Sequence, residues 1–318
     1  MDNLAHTLAG AALAEAGLKE KTGLGLATLM IAANLPDVDV IALAFGENLA
    51  FRRGVTHGPI GLLILPALLV AAMVWFDRWQ TRRGKRPEAR LPVRFGWLLV
   101  LAYVGALSHP ALDWLNTYGV RLLSPFTERW FYGDTLFIID VWLWTMLTIG
   151  VVWSQRRRRR GLQGAHWPAL VSLVALLSYI GLMFGGSQRV KAAAAEELGA
   201  RGLNVAAIST GPPPINPFRR DIAYLADSRE VGWGRAQLFG GESLVLDAPA
   251  PDNMDDPRVA LAASKSKALR DFLFWARMPF ARFEGSRVIV TDARYTNIRA
   301  GGPFTVEVDL GEAPPPPE

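Results

Sequence analysis

His109 and Asp113 lie four residues apart in Ser108-His109-Pro110-Ala111-Leu112-Asp113-Trp114, inside an apolar stretch that begins at Phe95. On a helix, that spacing places an imidazole and a carboxylate on one face, one turn apart. The pair can chelate a metal ion. Its setting adds weight, because ionisable groups at membrane depth are costly and mark functional sites. The same residue types recur upstream as His6, as Asp37 with Asp39, and as His57. Pro36 precedes the two aspartates in Asn34-Leu35-Pro36-Asp37-Val38-Asp39 and, lacking a backbone N–H, predicts a break in the helix. Non-helical backbone is tolerated in a membrane where it lines a polar cavity, so the break could aim both carboxylates at one point. A helix cap at a turn is the structural alternative for this motif.

Three imidazoles with three or four carboxylates suit zinc, and also manganese or iron(II). The chain has no Cys, which excludes disulfides and thiolate ligands. More ligands are available than one tetrahedral ion requires, which admits a two-metal site. Asp113, Asp134 or Asp140 could equally orient a ligating His through its second ring nitrogen. There is no Gly-rich phosphate loop, no Gly-x-Ser-x-Gly and no His-Glu-x-x-His. Metal-assisted hydrolysis is the chemistry that remains.

The elements that must position these groups are apolar. The chain has 318 residues, of which 51% are hydrophobic, and its mean hydropathy is +0.19. Stretches at 58–76, 95–113, 136–153 and 167–185 each approach the ~20 residues that a spanning helix needs. Two weaker stretches, 4–18 and 24–45, are rich in Ala and Gly and interrupted by His6, Glu15, Asp37 and Asp39. Together they predict about six spans. Trp75, Trp97, Trp114, Trp153 and Trp167 fall near the predicted ends, where amphipathic rings favour the interface. The N-terminus lacks the basic region of a signal peptide, so the first segment is expected to be retained.

Basic residues collect at Lys19 and Lys21, between Arg78 and Arg94, and at Arg156–Arg160. With six spans these clusters share one side, and the opposite loops hold only Arg52, Arg53, Arg121 and Arg129. The positive-inside rule makes the clustered side cytoplasmic and both termini external. His6, Asp37, Asp39, His57, His109, Asp113, Asp134 and Asp140 then all fall near the outer face, as one site would. Arg156–Arg160 suits a solvated anchor beside a span, and no nucleic-acid partner is expected. His166, beyond that run on the other side, has no expected role.

Composition changes after Gly185-Gly186. Lys191–Gly199 and Pro257–Arg277 have helical patterns. Alternation near Arg220–Leu225, Gly234–Leu238, Arg287–Thr291 and Pro303–Leu310 predicts strands. The expected fold class is thus mainly α: a polytopic membrane helical bundle over residues 1–186, then a C-terminal extramembrane α+β domain over 187–312. Residues 313–318 form a Pro-rich tail.

Residues 2–10, 34–39, 52–58, 108–119 and 124–126 resemble the predicted membrane-bound metal-dependent hydrolases, a bacterial inner-membrane family. The shared marks are His6 before a small-residue helix, Leu35-Pro36-Asp37-Val38-Asp39 and Arg53-Gly54-Val55-Thr56-His57. His109-x-x-x-Asp113 follows, with Tyr118-Gly119 and Pro125-Phe126 after it. The order of ligands is also similar to zinc-dependent phospholipase C, although the later His and the His-x-x-x-Glu pair of those enzymes are missing. The resemblance implies metal ligation by His6, Asp37, His57, His109 and Asp113, with Asp39 as a further ligand or base. Asp134 and Asp140 could compensate for the missing groups, and Asp140 is expected as a second catalytic carboxylate.

The expectation is a multi-pass inner-membrane hydrolase with a divalent metal, zinc first, at the outer face. Its substrate would be a phosphoester or lipid-linked molecule from the bilayer, held through Arg52, Arg53 or Arg121. An ion-coupled carrier using the His/Asp cluster is the competing possibility. Against it, no acidic residue or histidine occurs in the inner halves of spans three to six. A purely structural metal would instead show four ligands and no open position.

Overall fold

We describe the chain through a computed structural model, over residues 1–45, 51–239, 244–296 and 304–311. The Pro-rich tail at 313–318 lies outside the described residues. The chain divides into two compact units, Met1–Ala44 with Arg53–Phe184, and Phe45–Arg52 with Gly185–Glu318.

The first unit is built from α1 (Asn3–Glu15), α2 (Gly25–Ala32), α3 (Pro59–Arg82), α4 (Phe95–Trp114), α5 (Val141–Arg159) and the start of α6 (Trp167–Ala200). Asp2 caps α1 by accepting from the amides of Leu4 (2.9 Å) and Ala5 (3.1 Å), satisfying two of the donors that a helix start leaves over. Small residues set the packing. Ala5, Ala9, Gly10, Ala11, Ala12 and Ala14 are buried, which makes α1 the inner helix. A Cβ on Gly10 would lie 2.7 Å from the Leu29 carbonyl of α2, and one on Gly105 of α4 would lie 2.7 Å from the Ala32 side chain. These close approaches bring α1, α2 and α4 together where van der Waals contact, not exclusion of water, holds helices.

The outer helices are apolar on the outside as well. Leu63, Leu68 and Trp75 on α3, and Val171, Val174 and Leu177 on α6, are exposed. An unbroken apolar exterior of this kind is stable when lipid covers it. Among the described residues, three helices are long and apolar enough to cross a membrane: Pro59–Arg82, Phe95–Trp114 and Trp167–Ala200. A fourth candidate is the pair Gly25–Ala32 and Leu35–Ala42, bent by 46°. The bend falls where Pro36 removes a donor, and a 3-10 helix (Leu35–Phe45) continues the chain.

The six spans that the sequence predicts are therefore not supported. α1 has only 13 residues, about 20 Å of helix against a hydrocarbon core of about 30 Å. In α5 the apolar part stops at Trp153 and the helix ends in arginines. Hydropathy counts apolar residues alike whether they meet lipid or another helix, and α1 meets other helices.

The second unit adds two antiparallel sheets. One has the order β1 (Val205–Gly211), β2 (Arg219–Ala226), β3 (Glu230–Gln237), β4 (Val245–Leu246), with β5 (Ala250–Pro251) also on β3. The other is β6 (Pro279–Glu284), β7 (Arg287–Asp292), β8 (Thr305–Asp309). Val190, Ala194 and Leu198 of α6 pack on Ile208, Ile222 and Tyr224. Gly232 pairs with Tyr224, whose ring occupies the space a side chain at 232 would need. The predicted helix Pro257–Arg277 is two helices, α7 (Pro257–Lys265) and α8 (Lys267–Trp275), because Ser266 leaves the helix and caps the second. β1, β4, β5 and β6 have no counterpart in the sequence prediction.

Candidate metal centre

His109 and Asp113 occupy the last turns of α4 and are fully buried, as are His6 on α1 and His57 just before α3. Asp37, in the 3-10 segment after the Pro36 bend, is 8% exposed. Each local element has a reason to deliver its side chain here. Asn34 at the end of α2 donates to Thr7 Oγ1 of α1 and to the Met30 carbonyl, both at 2.9 Å. That ties the Asp37 segment to the turn carrying His6. The His6 ring stacks on His109 with centroids 3.7 Å apart and planes 16° apart. Gly58, before α3, is so close to the Ser124 backbone that a side chain there would clash, which fixes the entry of His57.

The donor atoms converge. The Nε2 atoms of His57 and His109 are 3.1 Å apart. Asp37 Oδ1 is 3.7 Å from both, and Asp113 Oδ2 is 3.5 Å from the first and 3.4 Å from the second. On the other side of Asp113, Oδ1 is 3.4 Å from His6 Nε2. Ligand atoms of His6, His109 and Asp113 all lie within 4.8 Å of one another, as do those of Asp37, His57 and His109. For comparison, a tetrahedron with metal–nitrogen bonds of about 2.05 Å has edges of about 3.3 Å.

The far sides of the rings set which nitrogen faces inward. His109 Nδ1 is 2.7 Å from the Ala33 carbonyl and must carry a proton to bond it, which leaves a lone pair on Nε2. His57 Nδ1 faces Thr56 Oγ1 at 3.0 Å and Asp39 Oδ2 at 3.6 Å. A proton on that nitrogen donates to Thr56 Oγ1, whose hydroxyl donates on to Asp39, and this arrangement leaves Nε2 bare. Burial disfavours the charged form of His57 and lowers its pKa. In those tautomers the two inward lone pairs, 3.1 Å apart, would repel unless a cation stood between them. His6 Nδ1 and Nε2 and Asp113 Oδ2 are also buried without a hydrogen bond. Buried polar atoms left this way are costly, and a divalent ion satisfies them.

The other predicted site residues have different places. Asp39 is buried behind His57, where it accepts from the Arg53 amide (2.7 Å) and from Thr56 Oγ1 (3.4 Å). Arg53 is 4% exposed. Its Nη2 bonds Asp113 Oδ1 at 2.9 Å, its Nη1 reaches Asn116 Oδ1 (3.3 Å) and the Gly119 carbonyl (3.1 Å), and its plane lies over Tyr118. The α-amino group of Met1 meets Asp113 Oδ1 as well. Arg121 is buried against Trp130, and its amide bonds the Arg53 carbonyl at 3.0 Å. Arg52 is half-buried and grouped with the second unit.

Asp140 stands at the start of α5. It caps α5, accepting from the amides of Trp142 (3.0 Å) and Leu143 (2.8 Å) and from Tyr179 OH (3.0 Å), and it belongs to neither ligand group. A carboxylate before an apolar helix serves as a cap or a ligand with the same sequence signature. Asn116 is a residue that the sequence analysis missed. Its Oδ1 accepts from the amides of Tyr118 (2.8 Å) and Gly119 (3.3 Å) as well as from Arg53. Asn-x-x-Gly directly after a helix is the turn signal that could have found it.

A buried His/Asp cluster within a bundle of apolar, outward-greasy helices defines a membrane protein with a candidate metal centre. The family model for the YdjM inner membrane protein matches residues 1–190, and the chain belongs to that family. It is thus an inner-membrane protein whose apolar helices contact the lipid bilayer. No curated protein and no solved structure matches the chain.

Proposed function

We propose that this protein is a membrane-embedded metal-dependent hydrolase acting on a phosphoester or lipid-linked substrate. The observation that carries the proposal is the pair of inward Nε2 atoms of His57 and His109, 3.1 Å apart and flanked by Asp37 and Asp113. Imidazole and carboxylate donors without sulfur suit zinc, with manganese or iron(II) as the ions the same set accepts. A divalent ion bound there lowers the pKa of a water toward neutrality and polarises a phosphoryl oxygen.

The chain's own residues supply the rest. His6, Asp37, His57, His109 and Asp113 hold the ion. Asp39 and the Ala33 carbonyl keep the imidazoles in the ligating tautomer, and Arg53 keeps Asp113 in place. Asp39 thus acts as a positioning residue. Arg121 is the guanidinium we assign to substrate phosphate oxygens. Burial keeps competing water from the cluster. The basic ends of α3, α4 and α5 favour the cytoplasm, which supports an external position for the His57 and Asp113 ends.

The test is turnover of an aryl phosphodiester and of phospholipid by the full chain in vesicles. The expected result is hydrolysis that a chelator abolishes and that zinc or manganese restores, absent in His109→Ala. Metal-loaded wild type that cleaves neither substrate contradicts the proposal.

A further inference from the structure

The crossing of α5 and α6 leaves an open groove in the first unit with a volume of about 490 Å³, away from the His/Asp cluster. Its floor is the contact of Gly150 with Ser172, where a side chain on residue 150 would strike the Ser172 hydroxyl. Ile149, Trp153, Trp167 and Val171 form the walls, and each is more than half exposed, at 56%, 57%, 58% and 61%. α6 is one of the helices fit to cross a membrane, so these walls face hydrocarbon.

The mouth of the groove is different. Arg157 lines it, at the end of α5 where Arg156–Arg159 close the helix. Arg158 is committed to Glu20 (2.8 Å) and Glu15 (3.5 Å). Arg157 makes one bond, from Nη2 to the Gln163 carbonyl (2.8 Å), while its Nε is buried without a hydrogen bond. Among the described residues, no acidic side chain lines the groove. An apolar trough topped by a partly unsatisfied guanidinium and two tryptophans matches a lipid: tails below, an anionic headgroup above.

We propose that the α5–α6 groove binds an anionic phospholipid of the bilayer, its headgroup phosphate on Arg157 and an acyl chain against Trp153, Trp167 and Val171. The site is separate from the metal centre and does not depend on the proposed hydrolase activity. Arg157 gives selectivity for charge, and the walls give affinity for any lipid.

The test uses the full chain, purified and delipidated in detergent, titrated with phosphatidylglycerol or phosphatidylcholine of the same acyl chains and read by native mass spectrometry. Wild type is expected to keep one phosphatidylglycerol per chain in preference to phosphatidylcholine. Arg157→Gln should cut the preference about five-fold, the loss of about 1 kcal/mol per membrane-proximal cation. Arg159→Gln, in the same run but not lining the groove, should keep it, and Val171→Trp should lose both lipids. Equal retention of both lipids by wild type overturns the proposal. So does a preference that Arg157→Gln leaves intact, or that Arg159→Gln removes equally. A dimer that Val171→Trp disrupts while lipid retention is unchanged also overturns it, by making a second copy the occupant.

Discussion

At the scale of single residues, the account rests on which atom each side chain turns inward. His109 offers Nε2 because Ala33 takes the proton on Nδ1, and His57 does so because Thr56 and Asp39 occupy its other side. Asp39 is thereby separated from Asp37, two positions earlier, which faces both Nε2 atoms. Asp39→Asn should leave a metal site that still binds, with affinity reduced by about 10- to 100-fold, as expected for a group behind a ligating His. A competition titration with a chelating dye checks this, and unchanged affinity would remove Asp39 from the site. The convergence of His6, Asp37, His57, His109 and Asp113 was open to sequence reasoning, since the i, i+4 pair and the matching depth of the others pointed to one place. The role of Arg53 was not. A buried arginine spanning Asp113, Asn116 and Gly119 has the same sequence appearance as a phosphate anchor, and only the fold shows which groups it bonds.

At the scale of elements, the cluster depends on how closely α1, α2 and α4 approach. Gly105 is the point of closest contact between α4 and the end of α2, the segment whose Ala33 carbonyl orients His109. In a helix interior Gly→Ala ordinarily stabilises by about 0.5–1 kcal/mol. Gly105→Ala should instead destabilise by about 1–3 kcal/mol through overpacking, because its Cβ would lie 2.9 Å from the Leu29 carbonyl. Gly181→Ala on α6, with nothing within 4 Å, should be neutral or stabilising. Thermal unfolding in detergent compares the two, and equal melting temperatures would mean that the helices are not held this closely. The same small residues explain why the span count was misread. Ala and Gly raise hydropathy in α1, yet there they bury helix against helix, and 13 residues do not reach across the bilayer. β1 was hidden for a related reason: Val205-Ala206-Ala207-Ile208-Ser209-Thr210-Gly211 has no clean alternation, and its last four residues are all buried.

At the scale of the whole molecule, charge sets orientation. α3 ends in Arg82, Arg94 caps the start of α4, and α5 ends in arginines, whereas His57 and Asp113 stand at the opposite ends of α3 and α4. The chain contains no Cys, so a single introduced thiol is a clean reporter. A Cys replacing the exposed Ser228 should react with a membrane-impermeant maleimide in intact spheroplasts, and one replacing the exposed Gln163 should react only after lysis. The reverse pattern would contradict the proposed orientation.

The most direct test of the central claim is elemental analysis of the full chain purified in detergent, comparing wild type with His109→Ala, Asp113→Ala and Asp140→Ala. The account predicts about one or two equivalents of zinc or manganese in wild type, lost in the first two variants and retained in Asp140→Ala, whose side chain caps α5. Wild type that takes up no metal even after reconstitution, or variants of His109 and Asp113 that hold as much as wild type, would contradict it.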